Sequence, residues 1–219
     1  MNEITPQVMF YIFNIPVRDT VVSTWIMMGS LTILILILRR YSPTAIEMVI
    51  EFLNDLISDL MGRPVAAYLP LLGSLAIFIG VGNTMGIFPF LNAPTRDINT
   101  TFALALVVFF SVHYFGIKEE GFKTYFKNLA SPIFLLPLEI ISQLSRTLSL
   151  TLRLFGNILS GELIVAIILS LVPLFVPLPL IGLSIFTGIL QAYIFTALAA
   201  VYITAGMETS KPNSNKKEN

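Results

Sequence analysis

LSRTLSLTLRLFGNILSGE, residues 144–162, decides how this chain is read. The stretch is apolar enough to lie in a bilayer, yet it carries Arg146, Arg153, Asn157 and Glu162. Ionisable groups inside a membrane are costly, so they face protein or water and mark a pathway or a site. Glu139, Arg146 and Arg153 are spaced by seven residues. A helix advances about 100° per residue, so each lies about 20° from the last. Gln143 and Asn157 fall on the same side, which predicts a single face carrying all five. Glu162 follows Arg153 by nine residues. That offset is roughly 180° around the helix and about 13–14 Å along it, so the two cannot pair and look out on different environments.

The composition around this stretch fits a membrane setting. Of 219 residues, 55% are hydrophobic and 12% charged, with a mean hydropathy of +0.83. Soluble domains run nearer 45–50% apolar and about 25% charged. Thirteen Lys and Arg balance thirteen Asp and Glu, so there is no polybasic surface and no nucleic-acid partner is expected. The chain has no Cys, which excludes disulfides and Cys-ligated metals, and His113 is its single histidine. No metal or other cofactor is expected. The start, MNEITPQVMF, lacks a basic region before an apolar run and does not read as a cleaved signal peptide.

An all-α integral membrane protein follows, a single membrane domain over residues 1–219 with about five membrane helices. Residues 1–20 are expected as an outer segment and 21–40 as the first span, its apolar run ending in Arg39 and Arg40 as a cytoplasmic stop. Residues 42–62 differ. Ser42 can cap a helix, Pro43 suits its first turn, and Glu47, Glu51, Asp55 and Asp59 recur every four residues opposite an apolar face. That pattern predicts an amphipathic helix lying at the membrane interface. Residues 66–116 hold the second and third spans, the third a little short at 101–116, and 118–127 reads as a charged loop. Residues 131–206 form a long helical hairpin turned at Pro173, Pro177 and Pro179, and 207–219 a polar tail, disordered from 211 onward. Alternating the spans from an outer N-terminus puts Arg39, Arg40, Arg63, Lys118, Lys123, Lys127, Lys211, Lys216 and Lys217 inside, against Arg18 and Arg96 outside. This bias predicts a cytoplasmic C-terminus. No internal repeat is visible, which disfavours an inverted-repeat transporter.

On the last helix Ser184, Thr187 and Gln191 share a face that can oppose the arginine helix. Arg146 reads equally as a snorkelling or Glu139-paired residue and as a transport residue. Apolar residues flank Arg153 for several turns on both sides, so a functional role is the preferred reading there. Asn83, among Gly80, Gly82 and Gly86, reads first as a close-packing site. His113 reads as interfacial.

LRLFGN at 152–157 and SGE at 160–162, with LQAYIF at 190–195 one helix later, resemble subunit a of the F-type ATP synthase membrane sector. PLEIIS at 137–142, GNTMGIFP at 82–89 and DTVVSTW at 19–25 extend the resemblance over most of the chain. The resemblance implies that the family's essential arginine falls on Arg153, its neighbouring asparagine on Asn157, its half-channel glutamate on Glu162, the glutamine opposite the arginine on Gln191, and its upstream acid on Glu139. It implies a long tilted hairpin packed against a rotating ring of c subunits, a stator subunit b, the remaining ATP synthase chains, and H+ or Na+ as the transported ion. It also implies a bacterial plasma membrane, with an organellar membrane as the alternative. Some members carry a histidine where this chain has Ser184, so an imidazole relay to Glu162 is absent here. A guanidinium stays protonated under working conditions. At the boundary with the ring, Arg153 would attract an ionised carboxylate and block direct leakage between two half-channels, Glu139 lining one and Glu162 the other. No G-x-x-x-x-G-K-[ST] appears, so no nucleotide site of its own and no catalytic site is expected. Two other classes remain: a secondary transporter or stand-alone channel using the same polar stripe, and a non-transporting scaffold whose arginines bind lipid head groups.

Overall fold

The computed structural model describes residues 8–12, 15–86, 92–129, 136–172, 175 and 177–208. Residues 87–89 of the GNTMGIFP motif, 131–135 of the expected hairpin, Pro173 and the tail from 211 lie outside them. The described chain is helical throughout its length except near its start and in its turns.

The N-terminal segment holds an unforeseen feature, an antiparallel hairpin of β1 (Val8–Ile12) and β2 (Ile15–Arg18). It leads directly into α1 (Asp19–Tyr41), whose Ile33, Leu34, Ile35, Leu36 and Ile37 are all exposed. A helix apolar all round is stable only in lipid or a core. Helix α2 (Pro43–Met61) carries Pro43 in its first turn, as expected, but the Ser42 hydroxyl makes no capping bond. Its Leu53, Ile57 and Met61 are buried, while Glu47, Glu51, Asp55 and Asp59 are exposed. Gly62, with φ +61°, ends it in the left-handed region that glycine adopts at little cost.

Helix α3 (Leu69–Met85) is 17 residues long, shorter than the expected span. After a 3-10 turn (Pro94–Arg96), α4 (Ile98–Glu120) runs 23 residues, capped by the Asp97 carboxylate on the Asn99 N–H. The expected short third span and charged loop are thus both corrected. Helix α4 continues through Lys118, and α5 (Phe122–Leu129) follows after a break at Gly121, φ +83°. Charge ends an apolar run, but it does not end a helix; the glycine does. Helices α6 (Leu136–Leu171, 36 residues) and α7 (Pro177–Glu208, 32 residues) complete the chain. Pro177 and Pro179 sit in the first turn of α7, where a missing N–H costs nothing.

Four helices (α1, α4, α6 and α7) are long and apolar enough to cross a membrane, and α3 is a shorter apolar helix. Together they form an all-α, multi-pass membrane protein. The core lies where α3, α4 and α6 meet α7, around Leu72, Ile79, Val108, Leu150, Leu154, Phe195 and Ile203. Small residues permit the approach. A Cβ on Gly188 would stand 3.0 Å from Asn83 Cβ, and one on Gly206 would stand 2.5 Å from Val112 Cγ1. Without a hydrophobic drive between helices in lipid, such close contact supplies the attraction.

Candidate functional site

Two cavities open against α6. The larger, about 720 Å³, is lined by Asn157, Gly161 and Glu162 of α6, Ser184 and Thr187 of α7, and Asn83, Gly86, Asn92 and Arg96 from α3 and the turn after it. Asn157 Nδ2 donates to the Thr187 carbonyl at 3.3 Å. The polar face of α7 therefore opposes the end of α6 that carries Asn157 and Glu162. Asn157, four residues past Arg153 on α6, also lines this cavity, where its amide reaches the Thr187 carbonyl.

Asn83 is buried and fully engaged. Its Nδ2 donates to the Gly188 carbonyl at 2.9 Å, and Thr95 Oγ1 donates to its Oδ1 at 2.6 Å. The close-packing reading holds, with a hydrogen bond across the α3–α7 seam added to it. Glu162 Oε2 lies 3.4 Å from Arg96 Nη1, the carboxylate side chain being 29% exposed and the guanidinium 8%. Arg96 also donates to Asn92 Oδ1 at 2.9 Å, and Asn92 Nδ2 donates to Asp19 Oδ2 at 2.8 Å.

The smaller cavity, about 100 Å³, is lined by Glu139, Gln143, Arg146 and Thr147 of α6, Phe109 and His113 of α4, and Tyr202 of α7. Gln143 Nε2 donates to Glu139 Oε1 at 3.1 Å. Arg146 makes no ion pair with Glu139 among the described residues. Seven residues of helix separate the two by about 10 Å along the axis. Arg146 instead lies over the Tyr202 ring, 5.4 Å from its centroid. His113 Nδ1 lies 2.9 Å from the Phe109 carbonyl oxygen. His113 also lines this cavity.

Arg153 lines neither cavity. It sits on α6 between the residues that line the small one (139–150) and those that line the large one (157–170). Its side chain is exposed and makes no ion pair among the described residues. Leu148 and Leu152 beside it, and Leu183, Phe186, Leu190 and Tyr193 on α7, are exposed as well. Gln191 is 4% exposed, and its Nε2 has no hydrogen-bond partner among the described residues. No bond joins it to Arg153.

Arg96 and Asn92 line the large cavity and are not among the candidate site residues of the sequence reading. Arg96 stands in a short polar loop, where an exposed basic residue is the default reading. Nothing local to PTRD at 94–97 signals that it reaches a glutamate 66 residues later.

A family model described as ATP synthase A chain matches residues 21–204. ATP synthase subunit a 2 of Bradyrhizobium sp. (strain BTAi1) is 42% identical over 214 residues, covering 94% of this chain and 96% of the relative. ATP synthase subunit a 1 of Hahella chejuensis is 39% identical over 217 residues, covering 95% and 92%. ATP synthase subunit a of Legionella pneumophila (strain Philadelphia 1) is 38% identical over 214 residues, covering 94% and 93%.

Proposed function

The chain belongs to the ATP synthase A chain family, whose members are non-catalytic subunits of the membrane sector, and on that premise we propose that it conducts H+ or Na+ to and from a rotating ring of c subunits. The large cavity serves as one aqueous half-channel, opening outside the cell. The small cavity serves as the other, opening to the cytoplasm. The exposed surface of α6 and α7 around Arg153 faces the ring, while a stator subunit b and the remaining synthase chains hold the subunit still. The N-terminus lies outside a bacterial plasma membrane and the C-terminus inside.

One observation carries this reading: two cavities with charged and polar side chains in their walls abut different stretches of α6, and an exposed guanidinium lies between them. The mechanism follows from charge. Arg153 stays cationic, so it attracts an ionised carboxylate on the ring and disfavours a cation bound there. A ring site arriving at Arg153 releases its ion into one half-channel. Having passed, it reloads from the other. The same positive charge bars a cation from crossing directly between the cavities. Each elementary charge moved through 100 mV supplies about 2.3 kcal/mol of bias. Glu162 and Asn157 act in the outer path with Ser184 and Thr187; Glu139 and Gln143 act in the inner one. Gln191 packs behind the arginine face, and Asn83 holds α3 to α7.

Replacing Arg153 tests the reading. Arg153→Ala should abolish ATP-driven ion pumping by the assembled complex in inverted vesicles. Arg153→Lys should also fail substantially, since an ammonium can lose its proton when desolvated and lacks the planar fork. Normal pumping by assembled Arg153→Ala complex refutes the proposal.

A further inference from the structure

The wall of the large cavity holds a fixed charge that this pathway leaves without a task. Arg96 closes the 3-10 turn, and the turn is pinned on two sides. Thr95 bonds Asn83 on α3, and Asp97 pairs with Arg18 at the end of β2. The guanidinium is therefore held between Asn92 at 2.9 Å and Glu162 at 3.4 Å. On the other side of the same carboxylate, a Cβ on Gly86 would stand 3.2 Å from Glu162 Oε1. Glycine at 86 leaves the carboxylate room in the cavity while Arg96 fixes it. The facing residue on α7 is Ser184, which offers a hydroxyl and no charge.

We propose that Arg96 is the positioning residue of Glu162: a fixed counter-charge, delivered by the turn between α3 and α4, that orients and neutralises the carboxylate in the large cavity. The inference rests on the ion-path reading above. An unpaired carboxylate in a partly buried cavity attracts and detains a passing cation, because opposite charges interact strongly where water is scarce. Paired with Arg96, Glu162 keeps its oxygens in the path without becoming a trap. The pair thus sets how readily ions move through, not whether the ring can reach Arg153.

The test is a double-mutant cycle on the intact complex in inverted membrane vesicles, with ATP-driven pumping normalised to assembled subunit a. Arg96→Gln should lower the pumping rate about tenfold, the scale expected when one partner of a charged hydrogen-bonded pair is removed. Arg96→Lys, which keeps the charge, should restore most of that loss. In a Glu162→Gln background, Arg96→Gln should change the rate by less than about twofold, because the partner is already gone. Wild-type pumping by Arg96→Gln, failure of the lysine to restore the rate, or an undiminished effect in the Glu162→Gln background overturns the inference. If Arg96→Gln alone leaves no assembled complex, the double variant decides: assembly regained supports the pair, and assembly still lost overturns it. Arg153→Ala, measured in parallel, separates the two ideas. Loss of pumping there with normal pumping in Arg96→Gln sinks only the role of Arg96. Normal pumping in Arg153→Ala sinks the ion-path reading itself.

Discussion

Asp97→Asn probes the joint that holds the turn of Arg96 in place. The Asp97 side chain is 4% exposed and accepts from four groups. These are Arg18 Nη1 at 2.9 and 3.1 Å, the Asn99 N–H at 2.9 Å, Asn99 Nδ2 at 2.9 Å and Thr20 Oγ1 at 3.3 Å. Asparagine caps a helix about as well as aspartate, so the α4 cap itself survives. What is lost is charge, and one acceptor becomes a donor facing donors. The Arg18 pair is more than a third exposed on the arginine side, so screening limits its share to about 1 kcal/mol or less. A buried donor without an acceptor adds about 1–3 kcal/mol. The joint should weaken by about 1–4 kcal/mol in total, the sum of those two terms. Burial pushes the Asp97 carboxyl up, but the bonds from Asn99, Arg18 and Thr20 outweigh it and hold the group below its ordinary range. A depressed folded value means the stabilisation is present in full above the unfolded value, near pH 4, and is lost as pH falls through the folded one. Hydrogen–deuterium exchange of the segment 92–99 in the intact complex reads this directly. At pH 7 the amides should exchange about 5- to 900-fold faster in the variant, and the gap should close below about pH 4. Equal protection at pH 7, or a gap that widens on acidification, refutes the reasoning.

Gly161→Ala should slow pumping while leaving assembly intact, because the added Cβ would stand 2.9 Å from Ser184 Oγ inside the large cavity. Ser184→Ala in the same chain should recover part of the rate, since Ser184 Cβ is 4.0 Å away, an ordinary contact, while the hydroxyl is lost from the path. No recovery argues against a steric cause. Tyr202→Leu removes the ring beneath Arg146 and should destabilise the α6–α7 seam by about 0.5–1 kcal/mol. A thermal-release assay of subunit a from the purified complex reads it, and an unchanged profile shows that the stacking contributes nothing.

The helices, and much of what lines the cavities, are legible in the sequence because those signals are local. Glu139 and Gln143 announce their shared face by spacing alone, and the structure joins them by a hydrogen bond. The acidic repeat of α2 does the same. Asn83 is legible as a packing site from the glycines around it. The unread parts depend on contacts between distant segments. The β1–β2 hairpin is short, and its strands follow no clear alternation. The small cavity gathers His113 from α4, Glu139 from α6 and Tyr202 from α7, and no spacing rule links those positions. The Arg96–Glu162 pair is the sharpest instance, since each residue taken alone has an adequate local explanation.

The disposition of the basic residues bears on why the chain needs company. Arg18 pairs with Asp97, Arg63 with Glu119 and Arg96 with Glu162. Arg146 stacks on Tyr202. Each lies near the end of a helix or against a cavity wall. Arg153 lies midway along the 36-residue α6, exposed among exposed leucines, with no ion pair among the described residues. A charged side chain at the centre of a membrane helix costs about 2.5–3.5 kcal/mol even on the most lenient scale. Arg153 is about 25 Å from either end of α6 at 1.5 Å per residue. No counter-charge for it is found among the described residues. Lipid phosphates lie at the surface and acyl chains carry no charge, so water or another protein chain has to meet the guanidinium. That requirement supports placing the c ring against this face.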